Sequence, residues 1–128
     1  MGFIVQPVDV FDRVSKRSST ISTKFDTAAG ATMIRESAAK FCTTIPDIKR
    51  GWKGVGGGEM TSEKYCSISV KIGGRIIPDT AYVVPDVDIS ADMLFGAPGL
   101  QRGDVVLHPR LRLVAFISDF DQPGGDRR

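Results

Sequence analysis

From Tyr65 to Val84 the chain spells out two paired strands. Cys66, Ile68, Val70 and Ile72 alternate with Ser67, Ser69 and Lys71, the period of two that puts every apolar side chain on one face of a half-buried strand. Gly73-Gly74 follows, a two-residue hairpin turn. Arg75 to Val84 forms the return strand, with Pro78 suited to an edge or a bulge because it has no amide proton for a ladder. This constrains the rest of the chain to a β architecture.

Further strand signals lie on both sides. Ile21, Thr23 and Phe25 alternate with Ser22 and Lys24, and that run ends at Asp26-Thr27-Ala28-Ala29-Gly30. Met93-Leu94-Phe95 is a short apolar run closed by Gly96. Val105 to Leu107 and Leu111 to Ile117 read as two more strands, joined at His108-Pro109. Helix signals are few: one turn within Ser37 to Cys42, and another at Pro98 to Gln101, where Pro suits the first helical position. Met1 to Lys16 shows no clear period, Pro46 and Asp47 break the chain, and Pro85 to Ser90 reads as a loop. Short strands, little helix and turn signals about every 8 to 15 residues predict an all-β fold, a small closed or partly closed barrel. The organisation expected is an N-terminal extension or strand over 1–20, one domain over 21–118, and a disordered polar tail over 119–128.

Composition narrows the function. The chain has 128 residues, with 17 Lys and Arg against 15 Asp and Glu. A net charge of +2 argues against a dedicated nucleic-acid binder. The aliphatic run Leu113 to Ile117 is far too short to span a membrane, and no signal peptide is read at the start. Cys42 and Cys66 are too few for a disulfide scaffold and read as buried thiols in a reducing compartment, with a cytoplasmic location. With His108 the one histidine, no metal or cofactor site is expected, and no Ser/His/Asp triad has a supporting motif. A domain of this size has little core to spare for a deep enclosed site, so an enzyme of this length would build its site between subunits.

Three segments offer chemistry. Asp26 stands at a tight turn after a strand, where a carboxylate either caps the turn or activates a water. Two facing carboxylates sharing a proton perform the second task well, because like charges held close cannot both ionise. Gly54-Val55-Gly56-Gly57-Gly58 lacks the Gly-Lys-Ser/Thr of a phosphate loop and reads as a flexible tip. Met93-Leu94-Phe95-Gly96 reads as core. Trp52, just before the glycine tip, reads as a packing anchor.

Taken in order, these segments resemble the retropepsins, the aspartic proteases of retroviruses and LTR retrotransposons. Phe25-Asp26-Thr27-Ala28-Ala29-Gly30-Ala31-Thr32-Met33-Ile34 resembles the family's catalytic segment. Gly54-Val55-Gly56-Gly57 resembles its flap, and Tyr65 to Val84 the strands that return from it. Leu94-Phe95-Gly96 resembles the apolar pair and glycine that open its short helix, and Leu111 to Phe116 its closing strand. The resemblance covers about Ile21 to Phe116.

It implies a fold active as a symmetric homodimer on a peptide or polyprotein substrate, in a polyprotein or particle. Asp26 would be the catalytic carboxylate, one from each chain, and Thr27 would bridge the two active-site loops. Ala28 would present its carbonyl to the substrate, beside Ala29. Gly54, Val55, Gly56 and Gly57 would close over the substrate, and Leu94 would line a side-chain pocket. One proton kept on the carboxylate pair implies an acidic or mildly acidic optimum. The chain also departs from the family. Ala28 stands where glycine is usual, and its methyl crowds a backbone that must approach both substrate and symmetry mate. Gly30 and Ala31 stand where some members carry substrate-gripping acids. Ala97-Pro98-Gly99 lacks the usual polar anchor of the short helix, which bears on dimer strength. These departures motivate a second reading, a weak or inactive retropepsin-like module that dimerises or binds peptides.

Overall fold

The structure is a computed structural model that describes residues 4–53, 58–108 and 113–116, with backbone alone for 106–108 and 113–116. The expected flap residues Gly54, Val55, Gly56 and Gly57 and the polar tail over 119–128 lie outside the described residues. Nine strands follow one another as β1 (Ile4–Asp12), β2 (Ser18–Phe25), β3 (Thr32–Arg35), β4 (Thr44–Lys53), β5 (Glu59–Ile72), β6 (Arg75–Val84), β7 (Met93–Phe95), β8 (Val105–His108) and β9 (Leu113–Phe116). A single α-helix, α1 (Ala97–Arg102), and short 3-10 turns at Ala38–Phe41 and Asp86–Asp88 complete the described elements.

Six strands close into a barrel. The sheet runs β1-β2-β7-β3-β6-β5, and β5 pairs back onto β1. The 14-residue strand β5 makes this closure by sharing one edge between two partners. Its second half pairs with β1, from Asp12↔Ile68 to Asp9↔Lys71, and its first half pairs with β4, from Thr44↔Cys66 to Lys53↔Glu59. Because β6 joins β5 only from Tyr65 onward, β4 and the start of β5 run on as a two-stranded arm. Strands β8 and β9 form a separate antiparallel pair.

The β5–β6 hairpin follows the sequence pattern. Cys66, Ile68, Val70 and Ile72 are all buried, and Gly73 takes φ 59° at the turn, a left-handed value that glycine reaches without strain. Pro78 faces Ser69 on β5, while β3 joins the opposite edge of β6 only at Ala81. The proline therefore sits on an edge, as its missing amide requires.

Two segments differ from the sequence reading. Residues 4–12, which show no clear period, form β1 with Ile4, Val8, Val10 and Asp12 turned inward. The alternation is hidden because a half-buried Gln6 and a carboxylate occupy inward positions while Val5 points to solvent. Pro46 and Asp47 do not end β4. The strand absorbs them in an irregular stretch between Pro46 and Arg50, braced by Arg50 Nε donating to Asp47 Oδ2 at 2.6 Å.

The inward carboxylate of Asp12 is fully buried and fully partnered. It accepts the amides of Ser15 at 3.1 Å and Thr43 at 2.9 Å and the Ser15 hydroxyl at 2.6 Å, tying the end of β1 to the approach to β4. Burial opposes its charge, yet the Ser15 and Thr43 hydrogen bonds outweigh burial and hold its pKa at about 2. A folded-state value below the unfolded one adds stability above the ordinary carboxylate range, and that stability disappears as pH falls through it. We expect Asp12 to contribute about 2 kcal/mol at neutral pH, lost between about pH 4 and pH 2. Urea melts over that range should show the gap between the native chain and Asp12→Ala closing; a constant gap would refute the assignment.

Candidate functional site

Two neighbouring strands end at the same level and deliver the site. β2 and β7 run parallel in register, with Phe25 opposite Phe95. Both rings are wholly buried and meet edge to face, centroids 5.9 Å apart. The next residues are therefore neighbours too: Asp26 leaves β2 beside Gly96, and the Asp26 amide donates to the Phe95 carbonyl at 3.0 Å. The rings set the base of the Asp26 turn, and the two residues that follow them begin its surface.

The turn is then folded by its own polar groups. The Ala28 amide donates to Asp26 Oδ1 at 2.9 Å, and the Ala29 amide to the Asp26 carbonyl at 3.2 Å. Asp26 thus caps its turn through one oxygen, while Oδ2 accepts no hydrogen bond among the described residues. Asp26 is half-buried, and Thr27 and Ala28 are exposed. Ala28 does not take a positive φ, so its methyl group costs the backbone of this turn nothing.

Gly96 closes the far side. The Ala97 amide donates to the Ala29 carbonyl at 2.8 Å. A Cβ on Gly96 would overlap the Ala31 carbonyl and come within 2.9 Å of the Ala29 oxygen. Beneath it lies a buried polar chain. The Gly96 amide donates to Thr32 Oγ1 at 3.1 Å, and the Thr32 hydroxyl donates to Asp79 Oδ2 at 2.6 Å. Asp79 also accepts the Thr80 amide at 2.8 Å and Arg102 Nη1 at 3.3 Å. Gly99 of α1 leaves room for this carboxylate, since a Cβ there would stand 2.5 Å from Asp79 Oδ2. The helix whose opening residues lack a polar anchor is thus tied down from β6 and from its own last residue. Sequence reasoning missed Asp79. The available signal was a carboxylate at an inward position of β6, between Ile77 and Ala81.

Asp26 opens into a cleft of about 660 Å³. Leu94 and Met60 supply apolar lining, and Lys24, Arg35, Glu59, Asp86 and Asp88 supply charge. The Asp86–Asp88 turn is held by the Asp86 carboxylate accepting the Ser37 amide at 3.0 Å, and that bond lowers the Asp86 pKa. Arg35 pins the following stretch by donating twice to the Ile89 carbonyl, at 2.8 and 3.1 Å. A second cavity of about 310 Å³ begins at Gly30 and Ala31 and is walled by Trp52 and Tyr82, with Arg50 and Arg102 at its rim. One apolar cluster, including Ala31, Met33, Trp52, Met60, Tyr82 and Leu94, underlies both cavities and is separate from the barrel core. Trp52 packs on Tyr82, as an anchor should, and also faces a cavity. Of the expected site residues, Asp26 and Leu94 share one cleft, and Thr27, Ala28 and Ala29 form its adjoining loop.

No protein-family model matches the sequence, and no curated protein matches it. Solved structures do. The retroviral protease-like domain of Ddi1 from Leishmania major superposes with a TM-score of 0.55 at 16% identity, over 91% of this chain and 90% of that one. EIAV protease in complex with an inhibitor gives 0.53 at 21% identity, over 76% and 84%. A protein of unknown function from Legionella pneumophila gives 0.51 at 14% identity, over 88% and 94%. At these identities the likeness concerns the fold, and the fold of this chain is retropepsin-like.

Proposed function

We propose that this protein is an aspartic endopeptidase whose site is completed by a second copy of the chain, and that it processes the polyprotein of a retroelement. The observation that carries the reading is Asp26: a half-buried carboxylate with one oxygen held by its own turn and the other without a partner in the described chain, at the mouth of a cleft in a retropepsin-like fold. One such carboxylate per chain makes the two-fold pair the economical arrangement, and in this reading Thr27, exposed in the single chain, is the residue that links the two loops.

In this mechanism the two Asp26 carboxyl groups share one proton and hold a water between them. The ionised carboxylate takes a proton from the water as its oxygen attacks the scissile carbonyl carbon. The protonated carboxyl gives its proton to the carbonyl oxygen, and a tetrahedral diol forms. Collapse of the diol breaks the C–N bond as a proton passes to the departing nitrogen. No covalent intermediate is required.

The test is cleavage of a peptide substrate and of the flanking polyprotein at pH 5 and pH 7, with the association state followed by sedimentation. The reading expects a dimer, cleavage, and a higher rate at pH 5. A rate that stays flat from about pH 4 to pH 9 would sink the shared-proton pair. A folded dimer that binds extended peptides without cutting them would establish the binding-module reading instead.

A further inference from the structure

The cavity between the Trp52–Tyr82 wall and the end of α1 has a chemistry of its own. It starts at Gly30 and Ala31, directly downstream of the Asp26 turn, and it shares its apolar floor with the Asp26 cleft. We propose that this cavity is a subsite for an acidic side chain, Asp or Glu, of an extended peptide. The proposal deepens the proteolytic reading and rests on it for the peptide's path.

Two guanidinium groups line the cavity, and each is already fixed in place. Arg50 Nε donates to Asp47 Oδ2 at 2.6 Å, and its Cζ lies 5.5 Å from the centre of the Tyr82 ring. Arg102 Nη1 donates to the Pro78 carbonyl at 2.7 Å and to Asp79 Oδ1 at 3.3 Å. A guanidinium has five N–H donors, so each keeps donors for a ligand. A side chain held beforehand loses less freedom when a carboxylate arrives, and its fork matches the carboxylate's two oxygens.

The one acid among the described residues that line the cavity, Asp79, takes a single donor of Arg102, at 3.3 Å, and leaves the other guanidinium donors to an incoming anion. The Asp79 side chain is only 5% exposed, and its oxygens are occupied by Thr32, the Thr80 amide and Arg102. Gly30 leaves the entrance open, since a Cβ there would meet nothing within 4 Å. Trp52 and Tyr82, with rings 5.0 Å apart, wall the cavity and give the stem of an acidic side chain a surface to pack on. The neighbouring cleft sets four carboxylates, Asp26, Glu59, Asp86 and Asp88, against two cations, Lys24 and Arg35, so acids outnumber bases there. The contrast favours the arginine-lined cavity for the acid.

The experiment uses a short apolar peptide in which each position in turn is Glu, Gln or Lys. Binding is read by fluorescence anisotropy on Asp26→Asn protein, and cleavage on native protein. One position should bind Glu about tenfold more tightly than Gln, with Lys weakest. Arg50→Glu should reverse the order of Glu and Lys at that position alone. Arg50 is exposed on β4, which lies outside the closed barrel, so this variant keeps the barrel while giving up the Asp47 brace of β4. Circular dichroism checks the fold, and Arg102→Gln, which leaves that brace intact, should weaken the Glu preference independently. Equal binding of all three residues at every position overturns the proposal. So does the absence of any peptide binding, or a Glu preference that survives both Arg50→Glu and Arg102→Gln. The two readings separate cleanly: a Glu preference without cleavage keeps the subsite and removes the protease, whereas cleavage without a charge preference does the reverse.

Discussion

Asp26→Asn is expected to lower cleavage about a thousandfold or more while leaving the fold and the association state unchanged. Asparagine keeps the shape of the turn, because its side-chain oxygen still accepts the Ala28 amide that Asp26 Oδ1 now takes at 2.9 Å. What disappears is the proton chemistry: an amide neither removes a proton from water nor shares one with a facing carboxylate, and positioned acid–base groups contribute about a hundred- to ten-thousandfold to a rate. The two-fold arrangement adds a sharper expectation. If each site needs one Asp26 from each chain, equimolar mixing of native and Asp26→Asn protein, after exchange of subunits, should leave about one quarter of the native activity. A site contained in one chain would leave about half. Titrating the mixture and following initial rates separates these curves, and a linear one overturns the shared site.

The hairpin and the Asp26 turn were legible in the sequence because their signals are local. The alternation of Cys66, Ile68, Val70 and Ile72 and the two glycines after them specify a strand, a turn and a register without reference to the rest of the chain. Asp26 was legible in the same way, at the end of the alternating run Ile21, Thr23, Phe25. β1 was not, because Asp12 is inward and charged, a position made tolerable only by amides that come from Ser15 and from Thr43. β4 was hidden by its exposure: apart from half-buried Ile45, Asp47 and Trp52 it turns little toward the protein, and its strand character comes from the edge that β5 offers it. Asp79 shows the same limit at the site. Its partner Thr32 is 47 residues away, and nothing short of the closed barrel brings the two together.

Gly96→Ala is expected to cost about 3 kcal/mol of stability, roughly 10 °C in Tm, and to reduce cleavage by more than the lost folded fraction explains. The reason lies in what a methyl group would meet. The obstructing atoms are backbone, the Ala31 carbonyl and the Ala29 oxygen, rather than flexible side-chain ends. That backbone cannot retreat freely, because the Ala97 amide holds Ala29 at 2.8 Å and the Thr32 hydroxyl receives the Gly96 amide at 3.1 Å. The strain therefore passes into residues 29–31, the continuation of the Asp26 turn, so the geometry of that loop changes along with its stability. Gly30→Ala in the same loop is the natural comparison. Its added Cβ meets nothing within 4 Å, its φ is not in the left-handed region, and stability should stay within about 0.5 kcal/mol of native. Thermal melts of the two variants side by side distinguish a requirement for close approach at Gly96 from a general intolerance of side chains in the loop. Equal losses would show that glycine serves loop flexibility at both positions, and the contact between Gly96 and residues 29–31 would no longer explain the site.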